Sequence, residues 1–220
     1  MRGAGVTGNR TNGTLRCNKY RCEVVGRPKS RRDRPVTTIR WVGVILLRMN
    51  GSLIARLLRR DLFWYYRLRL SPDIPRFWRN FWLLMTHLGG ARVTVAACLV
   101  GLWFPISRYA AAHTAVALLV AFLISQIIKR SVSRERPAEI KRGNTVIEAP
   151  DRFSFPSGHS AAAMAVAAMY ALTFPSLGIW LLPLAVMVGY SRVALGVHYP
   201  LDVVAGQAIA LLTAGLLRLW

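Results

Sequence analysis

The chain has 220 residues, 54% of them hydrophobic, and its formal net charge is +21. Its mean hydropathy of +0.34 is high for a water-soluble domain and typical of an integral membrane protein. Three cysteines exclude a disulfide-rich secreted scaffold, and the length fits one domain with a tail.

The first 48 residues are strongly basic, with 12 Lys or Arg against 2 Asp or Glu. On a soluble protein such an arm would indicate nucleic-acid binding. Ahead of apolar spans it indicates the cytoplasmic side of a membrane and anionic lipid, so we expect no nucleic-acid partner. The stretch is expected to be a disordered tail, and the change of composition at Met49 raises the hypothesis of an upstream start artefact. A Cys17–Cys22 disulfide is not expected on that side.

The next segment, residues 49–75, is predicted to be amphipathic. Residues 52–69 interleave arginines with Leu, Phe, Trp and Tyr, a pattern typical of a helix that lies in the membrane interface. An ordinary soluble amphipathic helix fits the same pattern. Pro72 and Pro75 then break the chain, so the membrane domain is assigned to residues 76–220.

Apolar runs predict an all-α, polytopic membrane bundle of five to six transmembrane helices. Several runs are shorter than the roughly 20 residues that a span requires, but their Ala and Gly content allows close packing. The run at 76–90 is the marginal one. The other five are 93–107, 109–128, 160–174, 177–190 and 201–217.

Six spans would place both chain termini on one side of the membrane. The arginine-rich residues 48–79, Arg108 and Arg218 would then lie on the cytoplasmic face, as the positive-inside tendency requires. The polar stretches 129–156 and 191–200 would lie together on the extracytoplasmic face. Because cations on that face oppose the tendency, we expect them to have a function.

The first of these stretches contains, among its cations, a pair with helical spacing. Lys129 and Arg136 are seven residues apart, which is two helical turns, so they can share a face. Pro137 disfavours helix at the residue before it, which places a helix end there. Taken alone, the pair also fits cations that snorkel to the membrane surface.

A second stretch, "SFPSGHS" at 154–160, precedes an apolar run. Ser157 is a good N-cap residue, and Gly158 lets another group approach the backbone closely. The first amides of the helix that follows form an anion site, and His159 could deliver a proton there. A helix cap beside a histidine without function fits this stretch equally well.

The third stretch is "SRVALGVHYPLD" at 191–202, in which Arg192 ends a helix. Asp202 follows His198 by four residues, so its carboxylate can reach the imidazole, fix its tautomer and raise its basicity. A satisfied interfacial histidine is the alternative. Together, the three stretches supply cations, an anion cradle and two histidines, which are the parts needed for phosphoryl transfer without a metal.

These stretches resemble the three signature motifs of the type 2 phosphatidic acid phosphatase superfamily. The superfamily includes bacterial undecaprenyl-diphosphate phosphatases, glucose-6-phosphatase and the vanadium haloperoxidases. The resemblance covers about residues 90–217. The matching residues are Lys129, Arg136 and Pro137, then Pro156, Ser157, Gly158 and His159, and finally Ser191, Arg192, His198 and Asp202.

The resemblance implies a role for each site residue. His198 would attack phosphorus to form a phosphohistidine, and Asp202 would orient it. His159 would protonate the leaving oxygen and then activate water. No metal and no cofactor are expected, because cations would neutralise the phosphoryl oxygens. The implied phosphate ligands are Lys129, Arg136, Ser157, Gly158 and Arg192.

The implied protein is a lipid phosphatase of the cytoplasmic membrane with an outward-facing site. Undecaprenyl diphosphate is the first candidate substrate, followed by phosphatidic acid or phosphatidylglycerophosphate. A lipid phosphotransferase and a catalytically inactive lipid-binding protein stay open, while the apolar spans disfavour a soluble haloperoxidase. The oligomeric state stays open too. His87 and His113 are expected to be interfacial and packed, respectively, rather than catalytic.

Overall fold

The chain divides into two compact units, residues 1–38 and 39–220. In the first unit, strands β1 (Thr14–Asn18) and β2 (Arg21–Val25) pair antiparallel, with Cys17 opposite Cys22. These ten residues form strands, whereas the sequence analysis expected disorder. The composition of a long tail does not reveal a short stretch with β-branched residues. The structure describes the backbone of Cys17 and Cys22 but not their side chains, so the expectation that they form no disulfide is not tested. The computed structural model describes residues 14–18, 21–25, 51–71, 74–137 and 152–219.

Within its described part, the second unit consists of helices. In chain order the helices are α1 (Gly51–Leu68), α2 (Arg76–Leu88), α3 (Ala91–Trp103), α4 (Arg108–Val132), α5 (Gly158–Thr173), α6 (Pro175–Ala194) and α7 (Pro200–Arg218). The last four, α4 to α7, pack around a common core, and α5 lies at the centre of that core.

Small side chains set the spacing of the central helices. Ala161, Ala165 and Ala168 of α5 are buried, and α5 packs against α4, α6 and α7. Alanine at such positions lets helix backbones approach closely. Because short connections link α5 to α6 and α6 to α7, these helices alternate in direction. The start of α5, the end of α6 and the start of α7 therefore lie at the same end of the bundle.

Three described helices are long and apolar enough to cross a membrane, namely α4, α6 and α7. Helices α2 and α3 meet that test only as a pair, bent by 53°. The predicted count of five to six spans is therefore not confirmed among the described residues. Two predicted spans, 76–90 and 93–107, form one bent unit, and α5, with 16 residues, is too short to qualify by itself.

The bend between α2 and α3 lies where the chain touches the start of α5. A Cβ atom on Gly89 would lie 2.7 Å from the His159 carbonyl oxygen and 2.6 Å from a Val188 methyl group. Only glycine therefore allows this approach without a shift of the backbone. Helix α3 begins beside the start of α5 and runs from that end of the bundle.

Helix α1 lies against the same end of the bundle. The Tyr65 hydroxyl donates to the Gly196 carbonyl at 3.2 Å, and the Leu201 N–H donates to Asp61 at 2.8 Å. The expectation that residues 48–79 lie at the end opposite to the polar stretches is therefore wrong for α1. Its arginines were assigned by charge alone, whereas the buried Asp61 and Tyr65 decide where the helix packs. Arg108 and Arg218 do lie at the far end.

Two glycines of α7 offer a matched test of this packing. A Cβ atom on Gly206 would overlap the Ser157 carbonyl oxygen at the start of α5, whereas one on Gly215 would meet no described atom within 4 Å. We expect Gly206→Ala to lower the free energy of unfolding by about 1–3 kcal/mol through overpacking. Gly215→Ala should be neutral or stabilise by up to about 1 kcal/mol through helix propensity. Thermal unfolding in detergent measures both, and an unchanged midpoint for Gly206→Ala would contradict the packing.

Candidate active site

The three predicted stretches come together at one end of the bundle, around a cavity of about 530 Å³. Helix α4 and the segment after it contribute two cations, the start of α5 contributes a glycine and a histidine, and α6 and the loop after it contribute the rest. These residues are distant in sequence. They reach one cavity because the helices alternate in direction, as described above. The predicted site residues that line the cavity are Lys129, Arg136, Gly158, His159, Arg192 and His198.

His198 and Asp202 form a buried pair, with 2% and 0% of their residue surfaces exposed. The Nδ1 atom of His198 lies 3.5 Å from Oδ2 of Asp202, and the Tyr199 N–H donates to the same oxygen at 2.9 Å. A carboxylate on the Nδ1 side favours the tautomer with its proton there, which leaves the lone pair on Nε2. The geometry therefore leaves Nε2 as the nitrogen that can react at the cavity.

Three cations line the cavity together with this histidine, and each is almost entirely buried. Lys129 and Arg136 are each 7% exposed and Arg192 is 3% exposed. Nη1 of Arg136 donates to the Val197 carbonyl at 2.9 Å and lies 3.3 Å from Nε2 of His198. Buried cations favour an anion as their partner, because isolated charges are strongly disfavoured in an apolar interior. A negatively charged group at this end of the cavity would therefore be electrostatically favoured.

The start of α5 faces the same cavity. Its first amides have no partner within the helix, and the helix dipole makes this end positive. A Cβ atom on Gly158 would meet no described atom within 4 Å, so this residue leaves the approach to the amides open. His159 is partly exposed and lines the cavity one residue further on. This end of α5 thus adds donors for an anion and a proton-carrying group beside it.

Ser157 occupies the N-cap position of α5 as predicted, but its side chain makes no capping hydrogen bond. Instead, its backbone N–H donates to the Asp202 carbonyl at 2.9 Å, and its Oγ accepts from the Ser160 hydroxyl at 2.9 Å. The residue is fully buried and joins α5 to α7. The structure therefore places Ser157 between the two histidine-bearing segments without making it part of the cavity lining.

Sequence reasoning missed three residues at the site. Arg134 binds Asp202 and the buried Asp61 of α1, and Thr86 of α2 accepts from Arg192 Nη1 at 2.6 Å. One signal was available, because Asp61 is an acidic residue within a run of arginines. Nothing in the local sequence marks Thr86.

The other two histidines lie away from this cluster. His113 bonds through Nδ1 to the Tyr109 carbonyl, 2.9 Å away within α4, and its ring contacts the Tyr109 ring. His87 is exposed near the end of α2. Neither lines the cavity described above.

From the cations toward the middle of the bundle, the cavity continues as an apolar groove between α3, α4 and α5. Its polar part is confined to one end, and its walls elsewhere are hydrophobic side chains that leave room for a chain-like ligand. The apolar residues that line it include Val95, Leu99, Leu102, Leu118, Leu119 and Phe122.

The chain belongs to the PAP2 superfamily. The model of this superfamily matches residues 110–220, which is half of the chain and includes every predicted site residue. The resemblance inferred from the three motifs is therefore confirmed.

Two curated relatives are similar over part of the chain. Lipid A 1-phosphatase of Rhizobium johnstonii is 39% identical over 101 residues, which is 42% of this chain and 41% of that protein. Undecaprenyl-diphosphatase of Sulfolobus acidocaldarius is 35% identical over 94 residues, which is 41% of this chain and 45% of that protein. The chain thus spans less than half the length of these relatives.

A crystal structure shares the fold. The transmembrane PAP2 type phosphatidylglycerolphosphate phosphatase from Bacillus subtilis superposes with a TM-score of 0.62, at 20% identity, over 80% of this chain and 90% of that one. This likeness shows the same membrane helix architecture.

Proposed function

We propose that the protein is an integral membrane phosphatase that hydrolyses a lipid phosphate or diphosphate. One observation carries the proposal, namely a single cavity in which a cluster of buried cations and histidines opens into an apolar groove. Such a cavity suits a ligand with a phosphate at one end and a hydrocarbon chain at the other. The names of the relatives, lipid A 1-phosphatase and undecaprenyl-diphosphatase, agree with it.

In the proposed first step, Nε2 of His198 attacks the phosphorus atom and a P–N bond forms. The P–O bond to the lipid breaks, and His159 gives a proton to the departing oxygen. Asp202 supports the positive charge that develops on the His198 ring, as the carboxylate of a catalytic triad does. In support, His198 and His159 line the same cavity, and Asp202 lies on the opposite side of the His198 ring from Nε2.

In the proposed second step, His159 removes a proton from water, which attacks the phosphohistidine. The P–N bond breaks, inorganic phosphate forms, and His198 recovers its lone pair. Lys129, Arg136 and Arg192 hold the phosphoryl oxygens through both steps, together with the amides at the start of α5. Preorganised charges of this kind can stabilise the transition state without a divalent metal.

The proposed substrate is a lipid with a phosphate or diphosphate headgroup. Undecaprenyl diphosphate is the first candidate and phosphatidic acid or phosphatidylglycerophosphate the next. A phosphotransferase would use the same two steps with another hydroxyl in place of water, and analysis of the products separates the two activities. A catalytically inactive lipid-binding protein would bind the same lipids and release no phosphate.

We place the protein in the cytoplasmic membrane with its site facing outward. The arginines at the far end of the bundle, Arg108 and Arg218, support this orientation, whereas those of α1 at the site end do not. Labelling with a membrane-impermeant maleimide tests this orientation. Arg130→Cys and Ile106→Cys are each introduced into a chain from which the other cysteines have been removed. In intact spheroplasts the Arg130→Cys variant should react and Ile106→Cys should not. The reverse pattern would refute the orientation.

Replacing either histidine tests the chemistry. His198→Ala and His159→Ala should each lower phosphate release by at least about 10²-fold while the protein still inserts in the membrane, since each removes a reacting group. His113→Ala is the matched control and should keep its activity. The measurement is phosphate release from lipid mono- and diphosphates in detergent with excess chelator. Full activity of either site variant, or activity restored only by magnesium, would count against the mechanism.

Filling the groove tests the lipid substrate. Ala162 lines the groove one turn below His159, whereas Ala208 is exposed on α7. Ala162→Phe should reduce kcat/KM for a long-chain lipid phosphate by about tenfold, which corresponds to about 1.4 kcal/mol, by obstructing the chain. It should leave a short water-soluble phosphate ester much less affected. Ala208→Phe should change neither, and equal losses for both substrates in Ala162→Phe would contradict a chain-binding groove.

A further inference from the structure

We propose that Arg134 is a positioning residue for the His198–Asp202 pair and that Asp61 anchors it to helix α1. The proposal rests on the proposed function, in which His198 is the nucleophile. Arg134 lies within the first stretch, between Lys129 and Arg136, but it is not one of the matching residues named above, and it does not line the cavity. Its role would therefore be exerted through Asp202 rather than through the substrate.

Arg134 joins two buried carboxylates from distant parts of the chain. Its Nη1 donates to Oδ1 of Asp202 at 2.7 Å, and its Nη2 donates to Oδ2 of Asp61 at 2.6 Å. Both carboxylate side chains are 0% exposed, and the Arg134 side chain is 18% exposed. Its guanidinium carbon also lies 4.1 Å from the centre of the Tyr199 ring, within the range of a cation–π contact.

The two oxygens of Asp202 have separate partners. Oδ1 accepts from Arg134, whereas Oδ2 faces Nδ1 of His198 and accepts from the Tyr199 N–H. The bond to Arg134 therefore fixes the rotation of the carboxylate and presents Oδ2 to the imidazole. Without it, Asp202 would keep a buried negative charge with less compensation, and its hold on the His198 ring would weaken.

Helix α1 contacts the segment around His198 through Asp61 and Tyr65. The other oxygen of Asp61, Oδ1, accepts from the Leu201 N–H at 2.8 Å. The Tyr65 hydroxyl donates to the Gly196 carbonyl at 3.2 Å, and the Tyr65 ring packs on the Tyr199 ring with centres 5.2 Å apart. These contacts lie on both sides of His198 in the chain. Helix α1 thus holds the loop that carries the nucleophile.

The chemistry of arginine suits this position better than that of lysine. A guanidinium presents several N–H donors in a rigid plane, so it can serve two carboxylates at once while it stacks on an aromatic ring. The ammonium of lysine keeps the charge but not that fixed geometry. The proposal therefore predicts that Arg134→Lys is impaired although the charge is conserved.

The test compares Arg134→Ala, Arg134→Lys and Asp61→Asn with wild type and His198→Ala. The substrates are a short-chain phosphatidic acid and farnesyl diphosphate, assayed in detergent. We expect Arg134→Ala to lower kcat by about 10- to 100-fold with KM nearly unchanged, because a misplaced nucleophile slows the chemical step rather than binding. Arg134→Lys and Asp61→Asn should show smaller losses. Arg130→Ala and Arg60→Ala, which alter exposed cations close in sequence to Arg134 and Asp61, should match wild type.

Two further readouts separate positioning from a general structural role. Free guanidinium ion at millimolar concentration should restore part of the kcat of Arg134→Ala and none of that of His198→Ala. The double variant Arg134→Ala/Asp61→Asn should be no slower than Arg134→Ala, since Asp61 acts through Arg134 and the two effects are then not additive.

The outcomes are distinguishable. A wild-type kcat in Arg134→Ala would overturn the positioning role. A reduced kcat that accompanies a lowered unfolding midpoint, and that guanidinium does not restore, would overturn it too. Additive losses in the double variant would overturn the anchoring role of Asp61. An active His198→Ala would instead refute the proposed function, whatever Arg134→Ala does.

Discussion

The central constraint in this protein is the burial of positive charge beside a histidine at one end of an apolar helix bundle. Lys129, Arg136 and Arg192 are each at most 7% exposed and line one cavity with His198. Such a cluster is unfavourable unless an anion or polar groups compensate it. The carbonyl of Val197 and the hydroxyl of Thr86 accept from two of these cations, and the carboxylates of Asp202 and Asp61 lie beyond His198. A phosphoryl group, as proposed above, would add to that compensation. The need to hold this cluster explains why so many helix ends meet at one place.

The helix packing follows from the same need. Glycine lets the α2–α3 bend and helix α7 approach the start of α5 closely, because a Cβ atom on Gly89 or Gly206 would meet backbone atoms there. The apolar groove between α3, α4 and α5 then begins directly at the cations. The proposed headgroup site and chain site would thus both result from one packing arrangement of the helices.

Much of the site could be predicted from the sequence, because its residues lie in short stretches with fixed spacing at the ends of apolar runs. His198 lies in the loop before α7 and Asp202 lies in the first turn of that helix, so a separation of four residues lets the carboxylate reach the imidazole. The stretch before His159 marks a helix start. The position of α1 could not be predicted, because the partner of Asp61 is Arg134, 73 residues away. The predicted count of five to six spans is also not confirmed among the described residues. Hydropathy measures the length of an apolar run, whereas the bend at Gly89 depends on contact with the start of α5.

The most direct test of the account is to trap the proposed intermediate. The protein would be mixed with a lipid diphosphate that carries a labelled terminal phosphate and quenched in alkali within one turnover, since phosphohistidine survives alkali better than acid. Mass spectrometry of the digested protein then locates the label. The account predicts label on His198, formed at least as fast as phosphate is released. Label on another residue, or turnover without any labelled protein, would contradict it.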